Sequence, residues 1–209
     1  MTSKVDKEYV RREAGQRLAQ GDILRDFIYQ VASVSEGKVK SSEFTFPYVV
    51  LLSQDCDLEW DFKNRTEPKD NQDKYLHYIL LCPAYLAEQL KSGIHLNDLE
   101  LTMKIIGRDK WGDVKTNQNQ RYHFLKNDKE YQIPDLAVDF KHYFTVPRDL
   151  LYQQAEGQYI GSLRELFRES LSQRFAYYLS RIGLPGFYGD EGEKPTGTSV
   201  DPSSLCAHD

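Results

Sequence analysis

The run Tyr48-Val49-Val50-Leu51-Leu52-Ser53-Gln54-Asp55-Cys56-Asp57 passes abruptly from apolar residues to two carboxylates flanking a thiol. Its first five residues offer no polar face, which is the pattern of a strand buried on both sides. Polar groups at the end of a core strand are held more rigidly than groups on a loop, so Asp55 and Asp57 are the first candidate functional residues. If the strand continues through them, alternation places Asp55 and Asp57 on one face and Cys56 on the other. Two neighbouring carboxylates can bind a divalent ion or divide acid and base roles. Equally, their oxygens can accept backbone amides in a strand-end turn or a helix cap. Cys56 lies beside negative charge, which disfavours a thiolate, and reads as a small core residue.

Outward from this run, Ile23 to Val34 is β-compatible and Glu36-Gly37-Lys38 reads as the turn joining it to the buried strand, which begins at Phe44. On the other side, Tyr75 to Cys82 is a further strand, closed by Pro83. Between them the charges from Asp61 to Lys74 read as a solvated loop. Leu86, Ala87 and Leu90 stand at helical spacing with Gly93 as the stop, and residues 94–120 read as an insertion with a short helix around Asp98 to Ile106. Arg121 to Leu125 and Leu136 to Val146 return to strand character.

Helices are expected at both ends. Val5, Tyr9, Val10, Ala14 and Leu18 recur at about one helical turn over residues 5–19, with Gly21 as the stop. Ser162-Leu163-Arg164-Glu165 has the form of a capping box opening a long helix over 163–182, whose apolar stripe runs from Leu163 through Leu171 and Phe175 to Ile182. Gly183 and Pro185 end it. The tail 188–209 has too little apolar content to offset its ordering entropy and is expected to be disordered, leaving one domain over residues 1–187.

The 209 residues carry 27 basic and 32 acidic groups, a formal charge of −5. Five of the acids and one Lys fall from Gly186 onward, so the remainder, 26 against 27, is nearly neutral. That argues against a broad electrostatic footprint for duplex DNA, although a local basic patch would be invisible in the sum. Cys56, Cys82 and Cys206 are odd in number and widely spaced, and no secretory leader precedes the body, so a reduced cytoplasmic setting is expected. No apolar run approaches the roughly 18 residues of a membrane span. Cys56, Cys82, His77 and His123 lack the close paired spacing of a zinc site; no cofactor is expected and the metal requirement is open.

A second constellation is Arg121-Tyr122-His123. On a strand, Arg121 and His123 share a face, a permanent cation beside a group that titrates near neutrality, and such a pair can hold and protonate a phosphate ester. The same alternation also describes the polar outer face of an edge strand. Asp139, if it faces inward, needs a buried partner, for which Arg121 is the expected residue. Arg164, Arg168 and Arg174, with Tyr177 and Tyr178, form either a basic stacking surface or a solvated helix face with ordinary ion pairs.

Gly21-Asp22-Ile23, Phe46-Pro47-Tyr48-Val49-Val50-Leu51-Leu52-Ser53, Ile79-Leu80-Leu81-Cys82-Pro83 and Val138-Asp139-Phe140 with Thr145-Val146 and Leu150 together resemble the motif ladder of the MazF/PemK toxin family. The resemblance implies an SH3-like barrel and cytoplasmic endoribonuclease activity. In that family an Arg precedes the Pro of the second patch and a Ser or Thr follows the Pro of the third, where the two act at the scissile phosphate. Here those places hold Phe46 and, after Pro83, Ala84 and Tyr85. An aromatic ring cannot supply the charge-assisted hydrogen bonds of an Arg. The chain is also similar to uncharacterised bacterial proteins carrying Ser53-Gln54-Asp55-Cys56-Asp57 and an Arg181 to Pro185 ending.

The expected architecture is therefore α+β: a small SH3-like antiparallel β-barrel, core about 21–151, with an N-terminal helix, a helical insertion about 84–120 and a long C-terminal helix. The expected function is binding, with cleavage as the family implies, of single-stranded RNA by Asp55, Asp57, Arg121 and His123 converging on one cleft. The alternative is a non-catalytic sensor or partner-binding module of a bacterial stress or phage-defence system, with a protein partner encoded nearby. A homodimer is compatible with either.

Overall fold

The turn at Gly37, with φ 72°, joins the two longest strands of the molecule, β2 (Asp22–Ser35) and β3 (Lys38–Leu51). The computed structural model describes residues 7–13, 16–35, 37–67 and 70–181. The fold set out here is that of the unit ending at Leu179. Around the hairpin stand β1 (Tyr9–Val10), β4 (Tyr78–Leu86), β5 (Tyr122–Leu125), β6 (Leu136–Asp139), β7 (Phe144–Pro147) and β8 (Tyr159–Leu163). They make one curled antiparallel sheet in the order β1-β8-β2-β3-β4-β6-β5, with β7 also paired to β4. Five helices complete an α+β fold: α1 (Asp55–Thr66), α2 (Ala87–Ser92), α3 (Arg108–Lys115), α4 (Arg148–Gln158) and α5 (Glu165–Leu179).

The continuous apolar run is central, as its composition requires. Val50 and Leu52 join the core cluster under α5, with Leu171 and Phe175, while Val49 and Leu51 join a second cluster on the opposite face with Leu58 of α1 and Leu151 of α4. A third cluster, Tyr85, Leu90, Trp111, Val114, Tyr122 and Ala137, packs the α2–α3 insertion against β4, β5 and β6. Leu24 and Phe27, three residues apart, both reach the second cluster. Between them Arg25 and Asp26 are exposed and Asp26 has φ 52°, so the ribbon turns a corner there that simple alternation would forbid.

Several elements differ from expectation. No described residue between 7 and 19 is helical. Tyr9 and Val10 instead pair with Leu163 and Ser162, with Tyr9 and Leu18 buried, while Val5 and Ala14 of the expected stripe lie outside the described residues. Asp61 to Thr66 is helix, not loop. β4 does not stop at Pro83, because Pro83 lies where β4 passes from β7, paired through Leu81, to β6, paired from Ala84, and no ladder bond is asked of its missing N–H. The insertion helix lies at 108–115, with only a short 3₁₀ turn at Asn97–Leu99. Ser162 is not a cap: it lies in β8, and its Oγ donates to Asp22 Oδ1 at 2.7 Å, so α5 begins three residues later. Within α5, Leu171 and Phe175 are buried but Leu166 and Leu179 are exposed. The tail 188–209 and Cys206 lie outside the described residues. None of the described helices is long and apolar enough to cross a membrane.

Candidate functional site

β3 ends at Leu51, and a turn held by Leu80 N–H donating to Ser53 Oγ (2.9 Å) leads into α1, which opens on Asp55. The two carboxylates are therefore first-turn helix residues, where negative charge complements the helix dipole. Asp55 accepts two hydrogen bonds from Arg17 (3.0 and 2.8 Å), one from the Gln20 amide (3.2 Å), and faces Arg168 Nη1 at 3.3 Å. Burial pushes its carboxyl up, but the arginines outweigh that and its pKa is lowered. Asp57 is exposed. So is Cys56, which corrects its reading as a core residue: on a helix it faces solvent rather than the opposite side of a sheet.

Arg121 precedes β5 and meets Asp139 at the end of the adjacent strand β6. Its Nε and Nη2 donate to the two carboxylate oxygens at 2.8 and 2.6 Å, and its guanidinium lies 4.8 Å from the Tyr122 ring centroid. Asp139 is 0% exposed, caps the 3₁₀ turn Phe140–His142 by accepting from Lys141 N–H (3.0 Å), and has His142 Nδ1 2.8 Å from Oδ2. Burial raises the Asp139 pKa, yet the hydrogen bonds and charges of Arg121 and His142 prevail and hold it at about 2. The expected Arg121–Asp139 partnership is thus present, and the Asp139-Phe140-Lys141-His142 turn adds an imidazole to it. His95, packed 4.8 Å from Tyr85, lies in the same electrostatic neighbourhood. Burial lowers its pKa, with Arg121 and His142 reinforcing and Asp139 opposing.

His123 does not share Arg121's surroundings. It is 4% exposed, faces α5, and its Nδ1 accepts from Arg174 Nε at 3.0 Å. Burial and then the Arg174 charge push its pKa down to about 3, so it is neutral at physiological pH. Arg174 also donates to the carbonyls of Asn117, Asn119 (2.5 Å) and Tyr122 (2.9 Å). Arg164, just before α5, donates to Tyr9 O and Arg168 faces Asp55, so these arginines reach into the fold instead of forming a stacking surface. No hydrogen bond or ion pair among the described residues joins any two of Asp55, Asp57, Arg121 and His123.

Phe46 is buried in a ring cluster with Tyr29, Phe44 and Phe144, stacked on the last at 4.8 Å, and Ala84 and Tyr85 are buried as well. Those positions offer no group for a phosphate. Cys82 is buried, which pushes its thiol up and keeps it protonated. Among the described residues, no three His, Cys, Asp or Glu side chains gather as a metal site. No protein-family model, curated protein or solved structure matches this chain.

Proposed function

We propose that the protein binds single-stranded RNA and cleaves it at the cluster of Arg121, Asp139 and His142. The observation that carries this reading is the buried Asp139 carboxylate, held on both oxygens by the Arg121 guanidinium and approached by His142 Nδ1 at 2.8 Å without the geometry of a hydrogen bond. A small rotation of the imidazole would turn this approach into a hydrogen bond on Nδ1 and leave Nε2 to exchange protons. Arg121 spends Nε and Nη2 on Asp139, and Nη1 has no hydrogen bond among the described residues, so it is available to a phosphate oxygen. RNA carries its own nucleophile. His142 takes the 2′-hydroxyl proton as that oxygen attacks phosphorus and returns a proton to the departing 5′ oxygen, while Arg121 stabilises the charge that builds on the phosphoryl oxygens.

The test is cleavage of a labelled single-stranded RNA by wild-type protein, His142→Ala and Arg121→Lys. Losing a general acid–base group lowers the rate by about 10²–10⁴-fold. Unchanged cleavage by a stably folded His142→Ala protein, or none by the wild type, would sink the proposal.

One feature favours the partner-binding alternative. Among the described residues, beyond the Tyr29–Phe44 pair β2 and β3 pair only with each other, and their distal segment exposes Val34 (75%) and Val39 (74%). A long ribbon with unpaired edges is a template for a strand of another protein. Under this reading the purified protein forms a stable complex that Val34→Lys with Val39→Lys abolishes, and has no nuclease activity.

A further inference from the structure

One face of α3 carries Arg108, Trp111, Gly112 and Lys115, the i, i+3, i+4 and i+7 positions of a single helical stripe. With Ala87, Glu88 and Lys91 of α2, Phe124 of β5 and Asp135, this stripe lines an open groove of about 720 Å³, a size usual for small-molecule sites. We propose that the groove binds a nucleoside phosphate, the base lying over Gly112 against Trp111 and Phe124 and the phosphate held by the flanking cations. The proposal stands whether or not the Arg121 cluster cleaves RNA.

Three observations converge on that chemistry. The first is charge in a nearly neutral body. Arg108 and Lys115 are exposed, stand about 10 Å apart along the helix, and have no ion-pair partner among the described residues. Lys91 approaches from the facing helix, 3.5 Å from Glu88 and 5.9 Å from the Trp111 ring centroid. The second is a pair of rings set edge to face, Trp111 and Phe124, with centroids 6.4 Å apart; Trp111 is 6% exposed and Phe124 half-buried, so their edges alone reach the groove, as an apolar wall against which a flat ring system can lie.

The third is Gly112 itself. Glycine in a helix interior is unfavourable, and an added Cβ here would meet nothing within 4 Å, so packing within the protein does not demand it. A bare backbone in the floor of the groove lets a flat ligand approach closely. Glu88 and Asp135 disfavour a purely polyanionic occupant and can accept from ribose hydroxyls or an exocyclic amine. Asp135 Oδ1 is already fixed by Asn127 N–H and Nδ2 at 2.7 and 2.8 Å. A base, a sugar and a phosphate together answer all of these groups, whereas inorganic phosphate answers only the cations.

The probe is Trp111 fluorescence in a Trp60→Phe background, which removes the other, exposed tryptophan. Titration with 5′-AMP should give a saturable change, and adenosine and inorganic phosphate should each bind at least about tenfold more weakly. Arg108→Glu and Lys115→Glu should each weaken AMP by about tenfold, and Gly112→Leu should abolish binding, all with melting temperatures near that of the parent. A tetranucleotide RNA titrated in parallel identifies the source: tighter binding with the same sensitivity to the variants assigns the groove to a strand nucleotide, and equal or weaker binding assigns it to a free mononucleotide. No saturable response at millimolar AMP, binding indifferent to Arg108→Glu and Gly112→Leu, or phosphate binding as tight as AMP would overturn the proposal.

Discussion

Asp22 and Asp139 are both completely buried, each faces an arginine, and their carboxyls move in opposite directions, to about 6 and about 2. Burial penalises both charges. Asp139 offsets it with a two-pronged guanidinium, the His142 imidazole and the Lys141 amide. Asp22 has one prong of Arg12, the Ala19 amide (2.8 Å) and the Ser162 hydroxyl, and is further raised by the charge of Asp55. Arg12 Nη1 beside Asp22 and His142 Nδ1 beside Asp139 are both buried with no hydrogen-bond partner, so what separates the two carboxylates is the two-pronged contact of Arg121. Partner geometry, not burial or the mere presence of a cation, decides whether an interior carboxylate keeps its charge.

The largest effect expected from this contrast is at Asp139. Asp139→Asn removes the anion that pairs Arg121 and should cost about 3 kcal/mol, roughly 6–12 °C in melting temperature for a chain of this size. A loss below about 1 kcal/mol would show that Arg121 is already satisfied by water.

Titration sharpens the comparison. Asp139 has a folded pKa below its ordinary 3.8, so its contribution is present above pH 3.8 and is lost as pH falls towards 2. Asp22 has a folded pKa above 3.8, so between pH 6 and 4 the folded state holds a proton that the unfolded chain lacks. Stability then rises as pH falls through this window. In denaturant melts, wild type should gain on Asp22→Asn by about 1 kcal/mol per pH unit from pH 6 to 4; a flat difference would mean that Asp22 is not raised.

His123 supplies the opposite control. Its folded pKa of about 3 lies below 6.5, so the unfolded chain takes up the proton first and stability is lost as pH falls below 6.5. Wild type should therefore lose ground to His123→Gln by about 1 kcal/mol per pH unit on acidification, unless the Arg174 cluster opens early and the curves stay parallel.

The smallest effects belong to the helix-opening pair. Asp55 is only partly buried and its arginines reach water, so Asp55→Ala should cost about 1 kcal/mol, while Asp57→Ala should stay within about 0.5 kcal/mol. A large loss at Asp57 would point to a contact made in an assembled form.

Much of this contrast was legible in the chain. Tyr48 to Leu52 reads as a central strand, Glu36-Gly37-Lys38 reads as a turn, and an inward Asp139 needs a buried partner, for which Arg121 is the expected residue. What escaped is instructive. α1 buries Leu58, Asp61 and Asn64, a stripe with one apolar member, and is tied down by Asp61 bonding Arg65 and Arg148 at 2.7 and 2.8 Å. Hydrophobic periodicity is blind to such a helix. Ser162 has the local signature of a cap, but its hydroxyl is claimed by Asp22, 140 residues distant in the chain. His123 looks like an exposed edge residue because its partner, Arg174, lies 51 residues away. His142 was within reach, three residues beyond Asp139, and the reason to join them was the cap that Asp139 makes.

The distal ribbon of β2 and β3 also sets a clock. Near Ile23 and Val50 each strand has neighbours on both sides, whereas from Gln30 to Ser35 the pairing among the described residues is to a single strand, with Gln30, Ala32, Val34 and Ser35 exposed. Its amides can therefore exchange with deuterium through local fraying that leaves the rest of the sheet closed, and protection should fall steadily from the β2–β8 junction towards Gly37. A segment that opens alone can be ordered without disturbing the core, so the outer half of this hairpin should exchange its amides faster than the strands that pair on both sides.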